Sequence, residues 1–442
     1  MTASPNRTPA EEAFVDGFAA AEAALPSAEW LKRKQALVAF NELGLPHRRI
    51  EAWKYTDLRN LVDGAYPAQI EATLVDVDQV QELAARSIFA GIDRSTAVFV
   101  DGRFRSELSA LPEKGAIEVL SLSDNLADVP RWVSENLGSV VPQADDAVSA
   151  LNMAYMSDGA AIRVSGKCEQ PLELVFVHSS GEPRTVSQRV LIVVDDEASC
   201  EIYETHVSPG NGRYVSNVVT EVVLGDKATF DHVKTQSDGA EAIHLANLHA
   251  KLGAEAKFNS FSATSGARVS RQQAFVEYAG EHTDANISGV YLLSGKQHGD
   301  STLVVDHAVP NCTSREMFKL VLDDSARGVF QGKVSVRPHA QKTDGKQMAQ
   351  ALLLSANAEF DSKPELEIFA DDVVCGHGAT AGDLDEDLLF YLRARGIPKD
   401  KAMALLIAAF VGEAVEEVSS EAVRDALNEM ATNWLTTHKT GA

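Results

Sequence analysis

The chain has 442 residues, 45% of them hydrophobic, enough for a substantial core. Its formal net charge of −24, from 40 basic and 64 acidic residues, excludes a duplex nucleic-acid binder, which needs clustered Lys and Arg against phosphate. No apolar run reaches the roughly 18 residues of a membrane span, and the opening MTASPNRTPAEEAF carries no signal-like pattern, so a cytoplasmic location is expected.

Residues 1–95 read as a helical region. Phe14, Phe18 and Ala21 recur at helical spacing, Pro26 and Ser27 break the pattern, and Trp30, Leu31, Ala36, Leu37 and Phe40 resume it until Gly44. Beyond Pro46, WKYTDLRNLV is expected to continue as helix. From about Thr96 the hydrophobic period changes to two. Asp101-Gly102 is a hairpin pair between β-type runs, and RWVSENLGSVV is an expected helix within a mixed lead-in that ends near residue 159. From about Ala160 to Val374 strand-like runs dominate, RVLIVVDD and NVVTEVVLG among them.

This stretch contains a repeat. Leu224-Gly-Asp-Lys-Ala228-Thr-Phe230 matches Leu252-Gly-Ala-Glu-Ala256-Lys-Phe258 and Leu354-Ser-Ala-Asn-Ala358-Glu-Phe360, with a looser copy from Val194 to Cys200. Ala198, Ala228 and Ala256 are 30 and 28 residues apart. Recurrence at about thirty residues is what a β-solenoid produces, with small residues at corners and an apolar inward row. On the pattern alone, an antiparallel sandwich with Gly/Ala turns stays open. The core is therefore set at 96–382, and residues 383–442 return to helix: Leu388, Leu389 and Leu392 form one stripe, Ala402, Leu405, Leu406, Ala409 and Phe410 a second, and Val423, Leu427, Met430 and Trp434 a third.

The four cysteines, Cys168, Cys200, Cys312 and Cys375, stand far apart and form no CxxC, so the chain carries no conventional closed metal or cluster site. The densest segment is FADDVVCGHGAT at 369–380. Cys375 and His377 are two apart, so on an extended strand their side chains share a side. Thiolate and imidazole both suit iron. Two ligands cannot saturate a cluster, so such a site must be completed by a second chain; a buried Cys beside a hydrogen-bonded His is the structural alternative. Gly376 and Gly378 are expected to let a backbone or an ion approach. Among the other histidines, His244 and His249 are expected near the surface, and Asp306-His307 is a weak acid–base candidate. There is no GxSxG, HExxH, Walker A or Rossmann pattern, and the GNG near residue 210 reads as a turn.

Residues 362–397, SKPELEIFADDVVCGHGATAGDLDEDLLFYLRARGI, resemble the signature of the SufB/SufD family of iron–sulfur cluster assembly proteins. Residues 305–355, EAWKYTDL at 51–58 and ALNMAYMSDGA at 150–160 resemble further blocks of that family. Within it the chain is more similar to SufD than to SufB: Gly376-His377-Gly378 stands where SufB-type chains carry Glu-His-Glu, and Leu392 stands where the scaffold's essential cysteine sits. The resemblance implies a mainly β protein, a right-handed parallel β-helix flanked by N- and C-terminal helical regions. It implies a non-catalytic subunit, with a SufB paralogue as heterodimer partner and the SufC ABC-type ATPase docked at the C-terminal helices. A homodimer is the alternative that stays open when the chain is alone. It puts Cys375 and His377 at the SufB interface beside a nascent Fe–S cluster or iron, with no cluster held stably by this chain. Reduced flavin is associated with the whole complex. A SufB-like scaffold, and from another class a β-helix carbohydrate-active enzyme, are the alternatives.

Overall fold

Each recurring alanine marks the corner of a coil. At Glu197, Lys227 and Glu255 the backbone turns through φ of +60°, +58° and +56°. Their N–H groups donate to Asp226, Ala254 and Glu281 carbonyls of the next coil, at 2.8, 2.7 and 2.8 Å. A corner residue in this left-handed conformation is costly for anything but Gly, Asn or Asp; here the inter-coil hydrogen bond helps to offset it. The following Ala198, Ala228 and Ala256 are fully buried and belong to the main core.

In the computed structural model, residues 7–437 are described except 23, 26–29, 75, 113–114, 126–128, 142–145, 180–181 and 211. Pro26, Ser27 and Asn211 of the GNG turn thus lie outside the described residues. The protein is mainly β, with 40% strand and 26% helix, and its core is a β-solenoid of about seven turns. Successive strands alternate between two sheets of ten and nine strands, and along the stack each pairs in parallel with the strand two places on. The register is exact from coil to coil: Phe230 lies against Phe258, and Val222 against Ala250. Side chains facing the bore stack into columns, of which Val222, Leu224, Phe230, Leu252, Phe258, Phe318, Leu320 and Val334 build the main core. This arrangement excludes the antiparallel sandwich.

Helices cover the outer faces. Pro9–Ala21, Trp30–Leu43 and Ala147–Tyr155 pack Phe14, Phe18, Ala36, Phe40 and Tyr155 toward Leu191, Val215 and Ile243 of the nine-stranded sheet. Leu31, expected in the buried stripe, is 69% exposed, because the buried face of its helix runs through Ala36 and Phe40. Lys399–Val415 and Glu421–Thr437 bury Ile407, Val411, Val415, Val423 and Leu427 against Tyr203, Val233, Phe261 and Val321 of the ten-stranded sheet.

WKYTDLRNLV is not one helix. It forms the 3₁₀ turn Glu51–Trp53 and the short helix Leu58–Leu61, with Asp57 capping Asn60 at 3.3 Å. Tertiary contacts override propensity here. Arg271 stacks on the Trp53 ring at 3.9 Å, donates to the Ala52 carbonyl at 2.7 Å and pairs with Asp300. Thr56 hydrogen-bonds His298 at 2.8 Å and also reaches Asp300. The segment EAWKYTDL is thus a strap across the outside of the nine-stranded sheet, tied to the last coil by Lys363 and Glu51 at 2.8 Å.

Candidate functional site

The stack ends without a cap on its pairing edges. Glu359–Ile368 and Val374–Gly382 stand at the ends of their sheets, each paired on one side only. Pro364 sits in the first of these, a residue that sheets admit at edges. The exposed apolar side chains concentrate at this end: Ile368, Phe369, Val374 and Met348, with Leu388, Phe390, Tyr391 and Leu405 on the adjoining helices.

Cys375 and His377 lie on the last strand, facing the same way, and that way is into the bore. Cys375 aligns with Gly345, and His377 with Gln347, Glu316, Ile287, Ser260 and His232 down the column. Cys375 is half-buried against the main core, and burial pushes its thiol pKa up. His377 is solvent-exposed because no further coil covers it. Gly376 and Gly378 alternate with this pair and face outward. A Cβ at Gly376 would meet nothing within 4 Å, leaving room for a backbone, whereas one at Gly378 would come 2.8 Å from Met348. Gly378 thus makes room for its own neighbour rather than for an ion. Among the described residues no group of three His, Cys, Asp or Glu side chains is placed to hold a metal ion.

The inward row is not purely apolar, as the repeat had led us to expect. On the strand that follows the first of these corners, Glu204 lies 3.2 Å from His206 and 3.3 Å from His232. Lys234 donates to His244 at 2.9 Å, and His244 lies 2.9 Å from Asp238. Burial alone would raise Glu204; its histidine partners outweigh that and hold it well below the usual carboxylate range. Burial lowers His206 to about 3 and His244 to about 4, and brings Lys234 down to about 8. A cavity of about 50 Å³ beside Glu204, His232 and Lys234 has room for ordered water. His244 and His249, expected near the surface, are both buried. Their strand is covered on its outer face by the N-terminal helices and lines the bore on the other, so neither face meets solvent. Asp306 and His307 are no acid–base pair: Asp306 pairs with Arg337, while His307 turns inward to Ser314 at 3.1 Å.

Sequence reasoning passed over Glu316 and Gln347, the two polar residues directly beneath His377. Gln347 Nε2 donates to Glu316 Oε2 at 3.4 Å. Burial raises Glu316 to about 7, with hydrogen bonds from Ser314 and Gln347 opposing the shift. Their spacing was a usable signal: 316, 347 and 377 are 31 and 30 residues apart, one coil each.

Fold and site define a β-solenoid protein that presents Cys375 and His377 side by side on its uncapped last strand. The chain matches the SufBD core domain of SUF system FeS cluster assembly over residues 176–410 and the SufBD protein N-terminal region over residues 10–174. It belongs to the SufBD family of iron–sulfur cluster assembly proteins. A SufBD family protein of Synechocystis is 31% identical over 413 residues, covering 90% of this chain and 89% of the relative. SufD of Escherichia coli is 28% identical over 402 residues, covering 88% and 89%, and SufD of Bacillus subtilis is 27% identical over 417 residues, covering 90% and 92%. The family sets aside the carbohydrate-active alternative. No helix among the described residues is long and apolar enough to cross a membrane.

Proposed function

We propose that this chain is the SufD-type, non-catalytic subunit of a cytoplasmic SufBCD complex, supporting iron acquisition and cluster assembly on a SufB paralogue. The observation that carries the reading is the open last coil. Two edge strands with unpaired backbone groups, flanked by exposed Ile368, Phe369 and Val374, suit continuation of both sheets by a homologous solenoid. Cys375 and His377 face the bore at that junction, so a partner's side chains would complete a ligand set that this chain leaves at two. The iron or nascent cluster is cargo shared across the junction, and a reduced flavin would belong to the assembled complex. Without the paralogue, the same edges offer a surface for self-pairing.

The helix Glu386–Ala394 supports ATPase docking. None of its residues is buried, and Leu388, Phe390 and Tyr391 are exposed. An apolar surface of this kind on a helix held against a rigid scaffold suits a partner interface. The other two C-terminal helices cover Tyr203, Val233 and Phe261, so removing the whole region would unroof the ten-stranded sheet. Point substitutions on the first helix are therefore the clean test of docking. Co-purification of the tagged chain from its native host tests the reading as a whole. Recovery of an ABC-type ATPase and a longer paralogue is the expected result; recovery of the chain without either refutes it.

A further inference from the structure

We infer that Gln347, held in place by Glu316, is the positioning residue for His377: its amide oxygen accepts the ring N–H of His377 and leaves the other ring nitrogen facing the junction. The inference rests on the reading that Cys375 and His377 receive iron.

Three observations converge on it. Gln347 and His377 are register neighbours in one inward-facing column, and paired parallel strands lie about 4.8 Å apart. Gln347 spends its N–H on Glu316, which turns its oxygen away from that carboxylate. That oxygen is buried and has no hydrogen-bond partner, and neither has Glu316 Oε1. A buried acceptor left empty costs roughly 1–3 kcal/mol, so the column carries an acceptor one coil below an imidazole free to turn in.

The opposite sheet is built around the same amide. Gly332 faces Gln347 across the bore, and a Cβ there would lie 2.1 Å from Gln347 Nε2. The absence of a side chain at 332 is what lets Gln347 reach across. Histidines that bind metals almost always donate their second ring N–H to an acceptor, which fixes the tautomer and the ring orientation. Gln347 is the side chain placed to do this for His377, whereas the Cys375 column offers only Gly345 beneath it.

The test uses the full chain assembled with its SufB-type paralogue, and cobalt(II) as the only added metal, supplied anaerobically, with binding followed by visible absorption. The cobalt signal is expected to vanish in His377→Ala. Gln347→Met keeps the length of the side chain and removes the acceptor; it should weaken His377-dependent binding about 10- to 100-fold with little change in melting temperature. Gly332→Ala, which displaces the amide from the opposite sheet, should weaken it in the same direction. Glu316→Gln still offers an oxygen to the Gln347 N–H and should retain most of the affinity. His377-dependent binding unchanged in Gln347→Met overturns the positioning role and leaves the iron reading standing. Absence of any His377-dependent binding in the complex of the unmodified chain overturns the iron reading and the positioning role with it.

Discussion

Glu316→Gln isolates the energetic consequence of a carboxyl group set inside the solenoid. Glu316 is 2% exposed, and burial raises its pKa from 4.5 to about 7. The folded protein therefore binds a proton that the unfolded chain has released across that window. The stabilisation from the neutral acid is full below pH 4.5 and is lost as pH rises through about 7. One pKa unit corresponds to about 1.4 kcal/mol, so the ionised group would withdraw about 3 kcal/mol at pH 8. Glutamine resembles the neutral acid and cannot ionise. The variant should match the parent near pH 4 and exceed it by up to that amount at pH 8. The nearby His307 does not confound the measurement: burial lowers it to about 4, so it is neutral over most of the window. The assay is the difference in thermal midpoint between variant and parent, measured at intervals of half a pH unit. A difference that is flat from pH 5 to 8, or that shrinks as pH rises, would refute the claim that Glu316 is a buried acid held neutral by its surroundings.

His377→Ala should leave the melting temperature within the small change typical of surface substitutions, about 0.5 kcal/mol, because the ring is exposed; in the reconstituted complex it should lower anaerobic cluster yield, and a normal yield would remove His377 from the ligand set. Cys375→Ser should lower the yield by the same amount or less, since the hydroxyl keeps the shape but is a poorer soft ligand. Phe390→Asp, at a side chain 73% exposed, should abolish capture of the ATPase without altering the fold, read by pull-down beside circular dichroism. Arg271→Ala should cost about 3–5 kcal/mol, since it leaves buried Asp300 without its cation and strips the Trp53 stack; an unchanged melting curve would show that the N-terminal strap adds nothing to stability.

The solenoid was legible because its corners impose a strict geometric rule. Ala198, Ala228 and Ala256 recur at the length of one coil, and no other side chain combines that smallness with an apolar Cβ. The Cys375–His377 pair was legible in its direction, which follows from strand alternation alone, and its facing the bore follows from the register with Gly345 and Gln347. The strap at residues 51–58 was not legible. Its conformation is set by Arg271, His298 and Asp300, more than 200 residues away, and no local pattern encodes that contact. The buried histidines were missed for a related reason: in a strand covered on both faces, polar residues no longer mark the solvent side, so His244 and His249 looked external although each faces a packed interior.

The polar groups within the bore are unequal, and that inequality directs attention to the open end. Replacing buried charges with well-packed apolar residues is commonly neutral or stabilising, so neither polar cluster is needed merely to hold the coils together. At the first, the buried carboxylates of Glu204 and Asp238 lie within hydrogen-bond reach of His206, His232 and His244, and Lys234 supplies a cation to the cluster. Among the described residues Glu316 has no ion-pair partner in the bore: Arg315, its neighbour in sequence, points to the outer face and pairs with Asp344. Its hydrogen-bonding neighbours are Ser314 and Gln347, and burial raises it to about 7, so below that pH it keeps its proton and is neutral. Two coils below the uncapped edge, its charge is therefore set by how far water reaches it. Under the proposed junction, a partner solenoid that closes this end would dry the column further and favour the neutral form of Glu316, with no buried counter-ion needed.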